Sequence, residues 1–116
     1  MSRTLRTAVI AAVAVAALLS TVMASAAPAV KTVNGTVGPG FTISMSAKTV
    51  KKGVYKITVR DRSSAHNFHL IGAGLNKKTS VAAVKTVVWT VTLKKGTYRF
   101  ICDPHATVMK GVLKVT

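Results

Sequence analysis

The chain has 116 residues, with 17 lysines and arginines against only two acidic residues, for a formal net charge of +15. That length holds one hydrophobic core beside a targeting segment and excludes a multidomain enzyme. A single cysteine excludes an internal disulfide, the usual brace of small exported domains.

The first element is a leader over residues 1–26. MSRTLRT supplies two arginines, AVIAAVAVAALLSTVMA is an apolar run of small residues, and Ala24-Ser25-Ala26 forms an A-x-A cleavage site. The run is short for a membrane span. Arg3 and Arg6 are separated, so the twin-arginine signal is missing, and no cysteine follows the run to carry a lipid. The expectation is an exported protein (periplasmic, cell-envelope or extracellular) whose mature domain is 27–116. Two of the seventeen cations lie in the leader, so that domain carries fifteen against Asp61 and Asp103, a net +13. Such a surface attracts anionic partners. Export, scattered lysines and the lack of an aromatic–basic repeat argue against nucleic acid. An acidic partner protein or the anionic cell envelope remains, and a monomer is expected.

The rest reads as short alternating segments. Phe41, Ile43 and Met45 alternate with Thr42, Ser44 and Ser46; Tyr55, Ile57 and Val59 alternate with Lys56, Thr58 and Arg60; Val87, Trp89, Val91 and Leu93 alternate with threonines and Val88. Period two marks strands with one core face and one wet face. Gly38-Pro39-Gly40, Lys51-Lys52-Gly53 and Lys94-Lys95-Gly96 punctuate them. Strands are predicted near 30–37, 41–46, 54–60, 65–71, 86–93, 97–102 and 110–116, with a loop and a short edge strand between Gly72 and Val84. Seven or eight strands in this length predict an all-β, Greek-key sandwich of two sheets.

Chemistry concentrates in YRFICDPHATVMKG. Tyr98, Phe100 and Cys102 share one strand face, so Cys102 leaves the strand on the core side. Pro104 ends the ladder and Gly111 opens the last strand, so residues 103–109 form a tight loop that draws Cys102, His105 and Met109 together. In SSAHNFHLIG, the same alternation turns His66, Phe68 and Leu70 inward and Asn67 and His69 away. The inward set is then His66, Cys102, His105 and Met109. Thiolate and thioether are soft ligands, and two His, one Cys and a weak axial Met describe a copper electron-transfer site. Zinc accepts Cys and His, but a thioether in the fourth position favours copper.

These residues resemble the cupredoxins, the small blue copper proteins, and in particular their plastocyanin, pseudoazurin and amicyanin branch. Gly96 to His105 is similar to the signature G-x-Y-x-[FY]-x-C-x-P-H, and Ala65-His66-Asn67-Phe68 to the first ligand, a His followed by Asn. The resemblance implies copper ligation by His66, Cys102, His105 and Met109. It also implies that the Asn67 side chain braces the ligand loop through hydrogen bonds, and a strand-corner role for Tyr98. It further implies electron exit through the edge of His105, ringed by apolar residues for which Gly72, Ala73, Gly74, Leu75, Pro104 and Val108 are the candidates. Met109 follows Cys102 by seven residues, one fewer than in plastocyanins and one more than in amicyanins.

The expected function is one-electron transfer by Cu(I)/Cu(II) cycling, with no bond broken. The alternative is a copper-binding protein that captures, buffers or delivers the ion outside the cytoplasm. A copper oxidase or reductase would need a second centre, and His69 alone remains for it.

Overall fold

The computed structural model describes residues 10–24 and 29–116. Ser25-Ala26 of the expected cleavage site and the leader arginines lie outside the described residues. Among the described residues, no helix is long and apolar enough to cross a membrane.

Nine strands are described: β1 (Lys31–Val37), β2 (Ile43–Met45), β3 (Thr49–Val50), β4 (Gly53–Asp61), β5 (His69–Gly72), β6 (Leu75–Lys78), β7 (Lys85–Leu93), β8 (Gly96–Ile101) and β9 (Lys110–Val115). They form a four-stranded sheet in the order β2-β1-β4-β7 and a five-stranded sheet in the order β3-β9-β8-β5-β6. The all-β sandwich read from the sequence is borne out. β6 is the expected short edge strand, and β3, two residues beside the end of β9, is one strand more than expected.

Period two explains the core. Tyr55, Ile57, Val59 and Asp61 on β4, Val91 and Leu93 on β7, and Tyr98 and Phe100 on β8 are buried while most of their neighbours in sequence face solvent. Two aromatic rings fill the space between the sheets: Phe68 and Phe100 stack with centroids 5.7 Å apart and planes 6° apart. Each ring sits on a glycine. A Cβ on Gly35 would lie 2.8 Å from the Phe68 ring, and one on Gly111 would overlap the Phe100 ring. Only a residue without a side chain lets these strands pass under the rings.

Two expectations need correction. The strand expected over 65–71 begins at His69, so His66, Asn67 and Phe68 precede the ladder and all three are buried. Outside a ladder the alternation that turned Asn67 away does not apply. Phe41, expected on the core face with Ile43 and Met45, is 68% exposed. Gly38 N–H bonds to the Thr42 carbonyl at 2.9 Å, which closes a loop and carries Phe41 clear of β2.

Register assigns residues to the two ends of the sandwich. Cys102 follows Ile101, which pairs with His69 and Lys110, and the end of β4 at Asp61 pairs with Val37 and Lys85. At the opposite end Gly53 pairs with Leu93, Gly96 with Val115, and Lys31 with Tyr55.

Candidate metal centre

One loop supplies three of the expected ligands. Asp103–His105 is a 3₁₀ turn with proline in its first positions, where no backbone N–H is needed. The His105 carbonyl accepts from Val108 N–H at 3.0 Å and Met109 N–H at 2.8 Å, and Cys102 N–H donates to the Met109 carbonyl at 3.0 Å. The loop therefore closes on itself with Cys102 and Met109 side by side, 0% and 1% exposed. His66 comes from the other side, in the segment between β4 and β5, and is 3% exposed.

The ligand atoms converge. His66 Nδ1 lies 3.1 Å from His105 Nδ1, and Cys102 Sγ lies 3.7 Å and 3.6 Å from these two nitrogens. A point in the plane of that triangle is about 2.0 Å from all three atoms, close to a metal–imidazole bond length. Among the described residues, these three form the group of His, Cys, Asp or Glu side chains able to share an ion. Two imidazoles and a thiol, with the buried Met109 hydrogen-bonded to Cys102 through the backbone, fit a soft transition metal.

The two ligand-bearing segments are tied by hydrogen bonds around Asn67. Its side-chain oxygen accepts from Asp103 N–H at 2.8 Å, and its Nδ2 donates to Asp103 Oδ2 at 2.7 Å and to the Thr79 carbonyl at 3.3 Å. Its backbone N–H points at Cys102 Sγ from 3.5 Å. Thr79, which follows β6, locks the same segment: its hydroxyl accepts from Phe68 N–H and donates to Asp61 Oδ2, both at 2.8 Å. His69 faces away, as expected, and meets Asp103 Oδ1 at 2.7 Å and Asn76 Oδ1 at 2.6 Å. Partial burial pushes the Asp103 carboxyl up. The His69 and Asn67 hydrogen bonds, with the charges of His69 and Lys78, outweigh that and hold it below the usual aspartate value.

Other expected residues separate. Tyr98 is fully buried, but its hydroxyl bonds to the Lys94 N–H and carbonyl at the far end of β8, so it pins a corner and does not brace the ligands. Gly72, Ala73, Gly74 and Leu75 form the β5–β6 turn next to Gly96, at the opposite end of β8 from Cys102. The antiparallel pairing of β5 with β8 carries them there, so they cannot ring His105. Exposed Pro104 and Val108 do flank it. Phe41 is the apolar neighbour that sequence reasoning missed: its ring meets His66 and His105 edge-on, with centroids 5.2 Å and 5.0 Å away. Asp61, Thr79 and Asp103 were missed as well. Scarcity was a usable signal for two of them, since the chain's only two carboxylate side chains both stand at this end.

The cupredoxin-like domain family matches residues 9–115, and the chain belongs to that family. Comparison with curated protein sequences finds no match. Among solved structures, the fold is similar to dithionite-reduced auracyanin from Roseiflexus castenholzii, at 21% identity and TM-score 0.54, covering 76% of this chain and 98% of that one. It is similar to auracyanin A, a blue copper protein of Chloroflexus aurantiacus, at 19% identity and TM-score 0.54, covering 76% and 100%. It is also similar to reduced rusticyanin, at 20% identity and TM-score 0.56, covering 73% and 78%.

Proposed function

We propose that this chain is an exported type 1 copper protein that carries single electrons, with His66, Cys102 and His105 as the strong ligands and Met109 as the weak axial one. The observation that carries this reading is the triangle of Nδ1, Nδ1 and Sγ atoms with sides of 3.1 to 3.7 Å, closed by a loop that also buries Met109. Membership of the cupredoxin-like family and the likeness to a blue copper protein support it. Bound copper would supply the Cu(II)/Cu(I) couple. The protein holds the donors in place: the Asn67 N–H donates toward the Cys102 sulfur, and the Asn67–Asp103 bonds keep the His66 segment and the Cys102 loop in one register. A scaffold that cannot relax around one oxidation state leaves little to rearrange when an electron moves.

His105 is half-buried and reaches the surface beside Phe41, Pro104 and Val108, with Phe41 and Val108 68% and 69% exposed. This apolar face is the proposed contact for a redox partner. Arg60, Arg62, Lys85 and Lys110 stand at the same end and favour an acidic one, through an attraction that salt weakens.

The test is Cu(II) titration of the purified protein with visible absorption and electron spin resonance, beside Cys102→Ser. The expected result is an intense thiolate-to-copper band that bleaches on reduction, returns on oxidation, and is absent from the Ser variant. A colourless wild-type complex, or a band that survives in Cys102→Ser, refutes the assignment. Loss of the ion to a chelating acceptor during redox cycling would favour copper delivery over electron carriage.

A further inference from the structure

The end of the sandwich opposite the ligands collects lysines. Lys51 and Lys52 precede Gly53, Lys94 and Lys95 precede Gly96, and Gly53 pairs with Leu93, so these two loops are neighbours. Lys48 and Lys114 join them: Lys114 N–H bonds to the Lys48 carbonyl, and Lys52 N–H to the carbonyl of Thr116. Lys31 opens β1 at the same end. All seven are exposed, and no acidic side chain stands among them, because Asp61 and Asp103 are both at the ligand end.

A further observation says what such a surface meets. Val30 and Val54, 49% and 48% exposed, line one hollow with Ala29, Lys31, Lys52 and Gly53, so the cationic end also presents apolar side chains. Lysines around a small apolar patch match the boundary between anionic headgroups and acyl chains.

We propose that the lysine end docks on an anionic lipid bilayer, holding the ligand end away from the membrane. The inference rests on the copper-carrier reading only for its consequence, that His105 and Phe41 then face a partner in the aqueous phase. Each lysine close to an anionic surface strengthens binding about fivefold, an effect that falls away beyond the Debye length.

The test is co-sedimentation of the exported, copper-loaded protein with phosphatidylcholine vesicles made with and without phosphatidylglycerol. Wild type is compared with two variants of equal charge: K51Q/K52Q/K94Q/K95Q at the lysine end and R60Q/R62Q/K85Q/K110Q at the ligand end. Expected are salt-sensitive binding only to the phosphatidylglycerol vesicles, a loss on the order of several hundredfold in the first variant, and a much smaller loss in the second. Equal losses in the two variants would show net charge without orientation and overturn the proposal. Absence of vesicle binding would overturn it too, as would binding to polyglutamate in its place, which would assign this end to an acidic protein. The thiolate-to-copper band is read in the same samples, so failure of the metal assignment is seen separately from failure of the docking.

Discussion

Replacing Thr79 by Val tests how the His66 segment is held. Thr79 is 5% exposed, and its hydroxyl is the shared partner of Phe68 N–H and Asp61 Oδ2, each at 2.8 Å. Valine keeps the branched shape and the two backbone bonds, Thr79 N–H to the Phe68 carbonyl and Asn67 Nδ2 to the Thr79 carbonyl. It strands one buried donor and takes away one of the hydrogen bonds to a carboxylate that is itself 2% exposed. Each unsatisfied group costs about 1–3 kcal/mol, so the metal-free protein should lose about 2–6 kcal/mol of unfolding free energy by denaturant titration. Thr79→Ser restores the hydroxyl and should recover most of it. Because Asn67 N–H, one residue from Phe68, points at Cys102 Sγ, the thiolate-to-copper band should also shift in the Val variant and return in the Ser variant. A Val variant within about 0.5 kcal/mol of wild type, the scatter of ordinary surface changes, would refute the argument. So would a Ser variant as damaged as Val.

Three more outcomes follow from the same geometry. Gly111→Ala drives a Cβ into the Phe100 ring and should cost about 1–3 kcal/mol by overpacking, read as a lower denaturation midpoint with an unchanged slope. Phe41→Ala removes a ring that is 68% exposed, so stability should stay within about 0.5 kcal/mol, while copper transfer to a chelator, followed by stopped-flow absorption, should accelerate because both imidazole edges are uncovered. Asp103 has a lowered pKa, so it adds stability above the usual carboxylate value of 3.8, and that contribution disappears as pH falls through the lower folded value. Asp103→Asn should therefore flatten the acid limb of the stability profile of the metal-free protein below about pH 4, measured by thermal melts across pH.

The convergence of the candidate ligands is legible from sequence because three of them sit in one short loop whose geometry is local. Alternation along β8 puts Cys102 on the core side, and Pro104 and Gly111 bound the loop that returns Met109 to it. His66 was identified through an alternation that does not operate there: the ladder starts at His69, and what buries His66, Asn67 and Phe68 in succession is a set of side-chain bonds to Thr79 and Asp103. Such bonds join residues far apart in sequence and leave no periodic trace. The Gly72–Leu75 turn shows the limit from the other side. Its place relative to Cys102 depends on the pairing of β5 with β8, and composition alone carries no register. Phe41 was assigned to the core by period two because the Gly38–Thr42 loop closure that lifts it away is likewise a contact, not a pattern.

The distribution of polar groups between the two ends gives the molecule a direction. Both carboxylate side chains are engaged beside the ligands, Asp61 with Thr79 and Asp103 with Asn67 and His69, so neither offsets the lysines at the far end. The same two residues fasten the segments that carry His66 and Cys102. Rigidity at one end and unbalanced positive charge at the other therefore have a common origin in where two acids stand. A third acid placed in the Lys51-Lys52 or Lys94-Lys95 loop would weaken the second property and leave the first untouched, since among the described residues the side-chain bonds at those loops come from Tyr55 and Tyr98 and not from the ligand segments.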